Sequence, residues 1–341
     1  MSKLKYILFP FSLLYWLFTY CRNFCFDKGI LKQTEFDIPV ISVGNITVGG
    51  TGKTPHVQYI VSLLQEKNIA TLSRGYKRKS SGYVLANNDT TVFELGDEPY
   101  QLWKRFPSVH VAVCEKRVEG IRRLLTDVPD LETVILDDAF QHRYVKPKMQ
   151  IVLVDYNRPL WDDHVFPVGY MREGMYALSR ADIVIVTKCP QELQETEKEM
   201  WRTRLRLNNQ KLFFSCMEYG NVYEFATKES KDCRTFFAEH SSICLITGIA
   251  QPKPLIDFVS QQTKNIVCKT FADHYSYSEQ DKKELEKLAT EHIVVTTEKD
   301  VYKLAEILPQ SQLYVIPIMP KFLYGEEEAF NSEISRSLKQ R

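Results

Sequence analysis

Read as a run of apolar and polar positions, the chain opens with a stretch unlike the rest. Residues 6–21, YILFPFSLLYWLFTYC, carry no charge and lie between Lys3 and Lys5 on one side and Arg22 on the other. Such a stretch makes a helix of roughly 24 Å, short of the roughly 30 Å hydrocarbon core of a bilayer, and Pro10 interrupts its first turns. No small-x-small cleavage site follows, which argues against a signal peptide. The pattern fits a helix lying in the plane of a membrane, with Tyr15, Trp16 and Tyr20 at headgroup level. The other reading is a greasy helix packed on its own domain. Beyond it the texture becomes short apolar runs alternating with helical periodicity. IPVISVGN (38–45) reads as a buried strand. PHVQYIVSLLQEK (55–67) places Val57, Ile60, Val61, Leu63 and Leu64 at helical spacing. ATLSR (70–74), VHVAV (109–113), TVILDD (133–138), QIVLVD (150–155) and DIVIVTK (182–188) read as further strands, and EKRVEGIRRLL (115–125) as a helix between them. Continuous Val/Ile runs separated by helices predict an α/β fold with a parallel sheet covered on both faces.

The charged stretch PQELQETEKEMWRTRLRLNN (190–209) reads as a helix and a domain boundary, followed by a second α/β unit built from KLFFSCMEY, ICLITG, VCKTFADHYSY, IVVTTEKD and LYVIPI. The expected organisation is therefore an N-terminal apolar helix over 1–28, a first domain over 29–205 and a smaller C-terminal α/β domain over 206–341. The terminal SRSLKQR reads as a frayed basic tail.

Composition narrows the function classes. Lys and Arg number 44 against 43 Asp and Glu, a net charge of +1, so the chain lacks the basic excess of a protein that coats nucleic acid. Its eight cysteines are scattered, without zinc spacing or a C-x-x-C pair, and read as thiols in a reducing compartment. The partner must be found in local sites.

The most informative window is GNITVGGTGKTP (44–55). It ends in Gly52-Lys53-Thr54, with Gly49, Gly50 and Thr51 just before, between a strand and a helix. This is the terminal half of a phosphate-binding loop. Glycines let backbone N–H groups face phosphate oxygens, the helix start adds a favourable field, Lys53 reaches the outer phosphates and Thr54 can hold Mg2+. The strict pattern fails at Thr47, where glycine is usual. Asp137 and Asp138 end a strand and suit Mg2+ ligation; Asp155 ends the next strand and is the weaker candidate. Thr187 and Lys188 resemble the start of a guanine-reading motif, but Pro190 stands where its acid belongs, which favours ATP over GTP. The clusters Gly96-Asp97-Glu98-Pro99, Gln141-His142-Arg143 and Phe271-Ala272-Asp273-His274 supply carboxylates and histidines for proton transfer. Arg74, Lys77, Arg78, Arg117 and Arg172 lie beside or after the strands and suit phosphate contacts.

In order along the chain, GNITVGGTGKTP, SRGYKR, GDEP, EKRVEG, LDDAFQH, MREG, FADH and TTEKD resemble the tetraacyldisaccharide 4'-kinases, the lipid A 4'-kinases of Gram-negative bacteria. The resemblance runs from the apolar segment to about residue 320. It implies a P-loop kinase at the cytoplasmic face of the inner membrane, docked by the N-terminal helix. That kinase moves the ATP γ-phosphate to the 4'-hydroxyl of a tetraacylated glucosamine disaccharide 1-phosphate, with no protein partner. It implies nucleotide contacts at Gly49, Gly50, Thr51, Gly52, Lys53 and Thr54, and a metal site at Thr54, Asp137, Asp138 and Glu173. Asp97 and His274 would form the base. Arg74, Lys77, Arg117, His142 and Arg172 are the substrate-binding candidates. Ala139 and Gly174 depart from the family pattern, and Gly174 weakens the case for Glu173. The rival is a membrane-associated NTPase that serves as a switch or chaperone for a protein partner.

Overall fold

Strand β1 (Val40–Asn45) is buried along its whole length, as a strand covered on both faces must be. It is followed by β2 (Ile69–Ser73), β3 (Val84–Leu85), β4 (His110–Val113), β5 (Thr133–Asp137), β6 (Met149–Asp155), β7 (Ile183–Thr187) and β8 (Lys211–Tyr219). With a returning strand, Ile318–Phe322, these form one nine-stranded sheet. Parallel pairing sets β1 between β5 and β6, with Val43 level with both Asp137 and Ile151. From this centre the sheet extends through β5, β2, β4 and an antiparallel β3 on one side, and through β6, β7, β8 and the returning strand on the other. In open α/β sheets, ligand crevices lie at such reversals of strand order, outside the carboxyl ends of the strands.

The structure is a computed structural model that describes residues 7–240, 242–273 and 275–339. The helices of the first part are α1 (Phe9–Asp27), α2 (Lys53–Leu64), α3 (Val92–Leu95), α4 (Asp97–Arg105), α5 (Arg117–Asp127) and α6 (Glu195–Arg204). Alternate residues of the same strands enter different apolar clusters, so both sheet faces are filled. Ile41, Val43 and Ile151 pack with Val57, Ile60 and Val61 of α2. Val152, Val154 and Val184 surround Trp201 of α6, and Val40, Leu72 and Val134 meet Ile121 and Leu124 of α5.

The chain divides into two compact units, 1–217 with 320–341, and 218–319. The expected boundary at 205/206 thus moves into β8. The charged stretch that suggested it is α6, whose buried Trp201 belongs to the first core. The expected C-terminal domain also loses its last segment. A helix over Glu327–Lys339 takes the place of a frayed tail, because Phe330 and Ile334 join the cluster that holds α2, with Phe330 stacked on Phe322 at 4.4 Å.

Helix α1 inverts the usual arrangement. Its buried residues are Ser12, Thr19, Asn23 and Phe26, whereas Phe9, Phe11, Leu13, Leu14, Leu17 and Phe18 face outward, Phe18 with 68% of its surface exposed. The polar side is the side that docks: the Ser12 hydroxyl donates to the Val165 carbonyl at 2.5 Å, and Asn23 Nδ2 donates to Glu173 at 2.7 Å. Tyr15 and Trp16 add partly buried aromatic contact. The helix thus packs on its own domain, through this stripe, while its most apolar face is left outward. Pro10 sits in the first turn, where its missing N–H costs no helical bond. Among the described residues no helix is long and apolar enough to cross a membrane.

The second unit carries β9 (Val222–Glu224), β10 (Ser230–Lys231), β11 (Ile243–Thr247), β12 (Ile266–Thr270), β13 (Ile293–Thr297) and β14 (Leu313–Ile316) in the order β10-β9-β14-β13-β11-β12. Its parallel strands are covered by α7 (Cys233–Glu239), α8 (Lys253–Gln262), α9 (Glu279–Glu291) and α10 (Val301–Leu304). The TTEKD run is a clamp: buried Asp300 accepts from the Gly248 N–H at 2.9 Å, from Thr297 at 2.8 Å and from Thr247 at 3.3 Å.

Candidate active site

The loop 46–52 leaves β1 in two stages. The first runs beside residues 170–172. Thr47 bridges Met171, the Val48 N–H donates to the Tyr170 carbonyl at 2.8 Å, and the Arg172 N–H donates to the Ile46 carbonyl at 2.7 Å. Thr47 needs no glycine because its φ is not positive. The turn comes at Gly49 and Gly52, with φ of 101° and 83°; a side chain at Gly52 would also collide with Met217.

Past the turn, successive carbonyls are held by the protein. Gly50 accepts from Lys188 Nζ, and Thr51 accepts from the Thr187 hydroxyl at 2.8 Å. Gly52 accepts from His56 Nδ1 at 2.7 Å. A carbonyl can only accept, so His56 carries its proton on Nδ1, and its Nε2 accepts from the Ser215 hydroxyl at 3.0 Å. Burial pushes the His56 pKa down to about 4, against the Gly52 bond, and the ring is neutral at pH 7. Among the described residues, none of the backbone N–H groups from Gly49 to Thr54 is spent on a protein acceptor. Together with the start of α2, they form a run of unspent donors suited to phosphate oxygens.

At the mouth of this row, Lys53 Nζ lies 3.5 Å from Asp138 Oδ1, which also receives Arg172 at 3.0 Å. Asp138 sits at φ 49°, a left-handed position that aspartate tolerates. Burial pushes its pKa up, but Lys53 and Arg172 outweigh this and hold it below the usual carboxylate range. Asp137 moves the other way, up to about 7, through burial first and then the charges of Glu98 and Asp138. Its Oδ1 is buried without a hydrogen-bond partner. Two neighbouring acids with opposite shifts, one of them with an unfilled oxygen, form a place for a cation. Among the described residues no three His, Cys, Asp or Glu side chains converge as a complete metal cage. Mg2+ in general takes one or two carboxylates and completes its octahedron with water and phosphate.

The other expected residues fall into place around this centre. Gln141 donates to the Asn45 carbonyl at 2.9 Å and accepts from Arg172 at 3.2 Å, so the Asp-Asp loop is tied to β1. Asp97 opens α4, half-buried, directly before Glu98. Arg74 and Lys77 are exposed, and Lys77 lies over the Tyr76 ring. Half-buried His142 donates from Nε2 to the Glu115 carbonyl at 3.0 Å, and its pKa is lowered by burial. His274 lies outside the described residues.

Three expectations change. Arg117, expected to touch substrate, is only 1% exposed and braces the site from below through Cys114 at 2.8 Å and the Asp137 carbonyl at 3.4 Å. Its pKa falls to about 10 through burial, so it remains a cation under Asp137. Glu173, expected to bind metal, is 1% exposed with Oε2 taken by Asn23 and by Arg180 at 2.8 Å. The chain bends at these two residues, and Arg172 reaches Asp138 while Glu173 turns to α1. Asp155, the weaker metal candidate, is 1% exposed and paired with Lys188 at 2.9 Å. The reading from sequence missed Asn45 and His56, placed Glu98 only within the GDEP cluster, and gave Lys188 no role beyond an incomplete guanine motif.

Comparison with known proteins adds a family to this geometry. Residues 4–339 match the family model described as tetraacyldisaccharide-1-P 4'-kinase, LpxK. The tetraacyldisaccharide 4'-kinase of Flavobacterium johnsoniae is 43% identical over 100% of this chain and 99% of its own length. That of Phocaeicola vulgatus is 43% identical over 98% of this chain and 95% of its own. Among solved structures, the "apo" form of LpxK from Aquifex aeolicus in complex with ATP superimposes with a TM-score of 0.77 at 29% identity, covering 98% of this chain and 99% of that one.

Proposed function

The chain belongs to the tetraacyldisaccharide 4'-kinase family and is an ATP-dependent kinase of the lipid A precursor, and we propose the following division of labour for its reaction. The unspent amides from Gly49 to Thr54 cradle the β- and γ-phosphates of ATP. Lys53, held by Asp138 before nucleotide arrives, moves its charge to the transferring phosphoryl group. Thr54 and Asp137 would hold Mg2+, with Asp138 in support; the unfilled Asp137 Oδ1 is the observation that favours this. When bound, the ion neutralises charge on the phosphate oxygens. The 4'-hydroxyl oxygen of the disaccharide forms a bond to the γ-phosphorus as the bond to the ADP oxygen breaks, and Asp97 accepts the hydroxyl proton. Arg172, anchored on Asp138, faces the incoming negative charge.

The lipid acceptor stays in a bilayer through its acyl chains, and the outward apolar face of α1 is the surface that brings the enzyme to it. The enzyme then works at the cytoplasmic face of the inner membrane, where ATP is available. The observation that carries the reading is the row of free loop amides closed at one end by Lys53 and Asp138. Incubating the protein with ATP labelled in the γ-phosphate and the tetraacylated disaccharide 1-phosphate tests it. Label in the lipid, at the 4' position, is the expected result. Label found only as free phosphate would replace the kinase with the hydrolysing switch.

A further inference from the structure

Thr187 and Lys188 remain unexplained once guanine reading is set aside, and the structure gives them another task. β7 ends at Thr187, level with Asp155 at the end of β6. Lys188 adopts a left-handed conformation, φ 58°, which folds its side chain back over the strand ends. Its ammonium is gripped by the buried Asp155 carboxylate at 2.9 Å and donates to the Gly50 carbonyl. The Thr187 hydroxyl holds the next carbonyl, Thr51, at 2.8 Å, and Thr51 is itself fixed through its side chain by Asn45 at 2.8 Å.

We propose that Lys188, anchored by Asp155, is a positioning residue that latches the phosphate loop with its carbonyls turned inward and its amides turned toward nucleotide. The inference rests on the reading of this loop as the ATP phosphate site. A peptide in a glycine-rich loop flips at low cost. Rotation of the Gly50–Thr51 peptide would exchange an N–H donor for a carbonyl oxygen aimed at phosphate, turning attraction into repulsion. A partly buried cation on the Gly50 oxygen opposes that flip, and the Thr187 hydroxyl opposes it one residue later. The charge of Lys188 is matched by Asp155, so it acts through the loop rather than by touching the transferring group.

The test is isothermal titration of Mg-ATP into the full-length protein, paired with steady-state kinetics. Lys188→Met is expected to weaken ATP binding about tenfold, the loss of one charge-assisted bond. KM for ATP should rise in proportion, while kcat and KM for the lipid acceptor change little. Lys188→Arg, which keeps charge and donors, should recover most of the affinity. Thr187→Val, which keeps shape and removes only the hydroxyl, should weaken ATP in the same sense and serves if Lys188→Met fails to fold. Lys53→Ala is the control for the underlying reading. If Lys53→Ala loses ATP while folded Lys188→Met and Thr187→Val bind it as the wild type does, the latch is wrong and the phosphate loop stands. If Lys53→Ala also binds ATP normally, the loop assignment itself fails and the latch with it.

Discussion

His56 gives the most quantitative handle on the site, because it is buried, neutral and tied to the loop by a known tautomer. Its pKa falls from the ordinary 6.5 to about 4 in the folded protein. Between these values the unfolded chain binds a proton that the folded chain refuses, so the contribution of His56 to stability is fully present above pH 6.5 and is lost as pH falls toward 4. Each pH unit costs about 1.4 kcal/mol, and the whole window about 3 kcal/mol. Asp137 works against this: its raised pKa makes the folded chain take up a proton between about pH 7 and the ordinary carboxylate value, which adds stability on acidification. The two effects separate in a difference measurement. The perturbation is His56→Gln, compared with wild type by urea unfolding at pH 7.5 and 5.0. All four tryptophans, Trp16, Trp103, Trp161 and Trp201, lie in the first unit, so fluorescence reports the unit that contains His56. At pH 7.5 the variant should be the weaker, having lost the ring that joins Gly52 to Ser215. On going to pH 5.0 the gap should close by about 2 kcal/mol, since only the wild type meets the histidine penalty over those one and a half units below 6.5. A gap that stays constant between the two pH values would refute a buried neutral His56.

Other expectations follow from the same contacts. Glu173→Ala removes the partner of partly buried Arg180 and should cost about 3 kcal/mol, lowering the melting temperature by roughly 6–12 °C in thermal denaturation; an unchanged melting temperature with a lost Mg2+ requirement would restore Glu173 to the metal site. Leu14→Asp with Phe18→Asp alters only the outward face of α1, so melting should be unchanged while flotation with anionic phospholipid vesicles falls at least severalfold; equal flotation would remove α1 as the membrane contact. Asp137→Asn should raise the Mg2+ concentration for half-maximal transfer by at least tenfold, read from metal titrations of the kinase assay, and a curve matching the wild type would place the ion elsewhere.

What was legible in the sequence was local. The strand, glycine turn and helix start of residues 40–64, and the paired acids ending β5, are set by neighbours in the chain, and periodicity and residue type expose them. Pairings across long separations were not legible. Nothing near Thr47 announces that it bridges Met171, yet that bridge delivers Arg172 to Asp138 and turns Glu173 away. The docking side of α1 did leave a trace: Ser12, Thr19, Asn23 and Phe26 fall on one helical stripe, but small polar residues in an apolar run do not advertise themselves as the buried face. The domain division was misplaced because a charged helical surface over 195–204 looks like a linker until its single buried tryptophan is seen. Lys188 read as a failed base-recognition motif because its partner, a loop carbonyl, has no sequence signature.

The phosphate site proposed for lipid phosphorylation consists of the amides of residues 49–54 and Lys53. Transfer of label from γ-labelled ATP to the tetraacylated disaccharide 1-phosphate, measured for wild type and Lys53→Ala at saturating Mg2+, tests it most directly. The wild type should give 4'-labelled lipid, and the variant should fall by at least about 100-fold, the loss that follows removal of one preorganised charge from a transition state. Lipid labelling by Lys53→Ala at near the wild-type rate would contradict it.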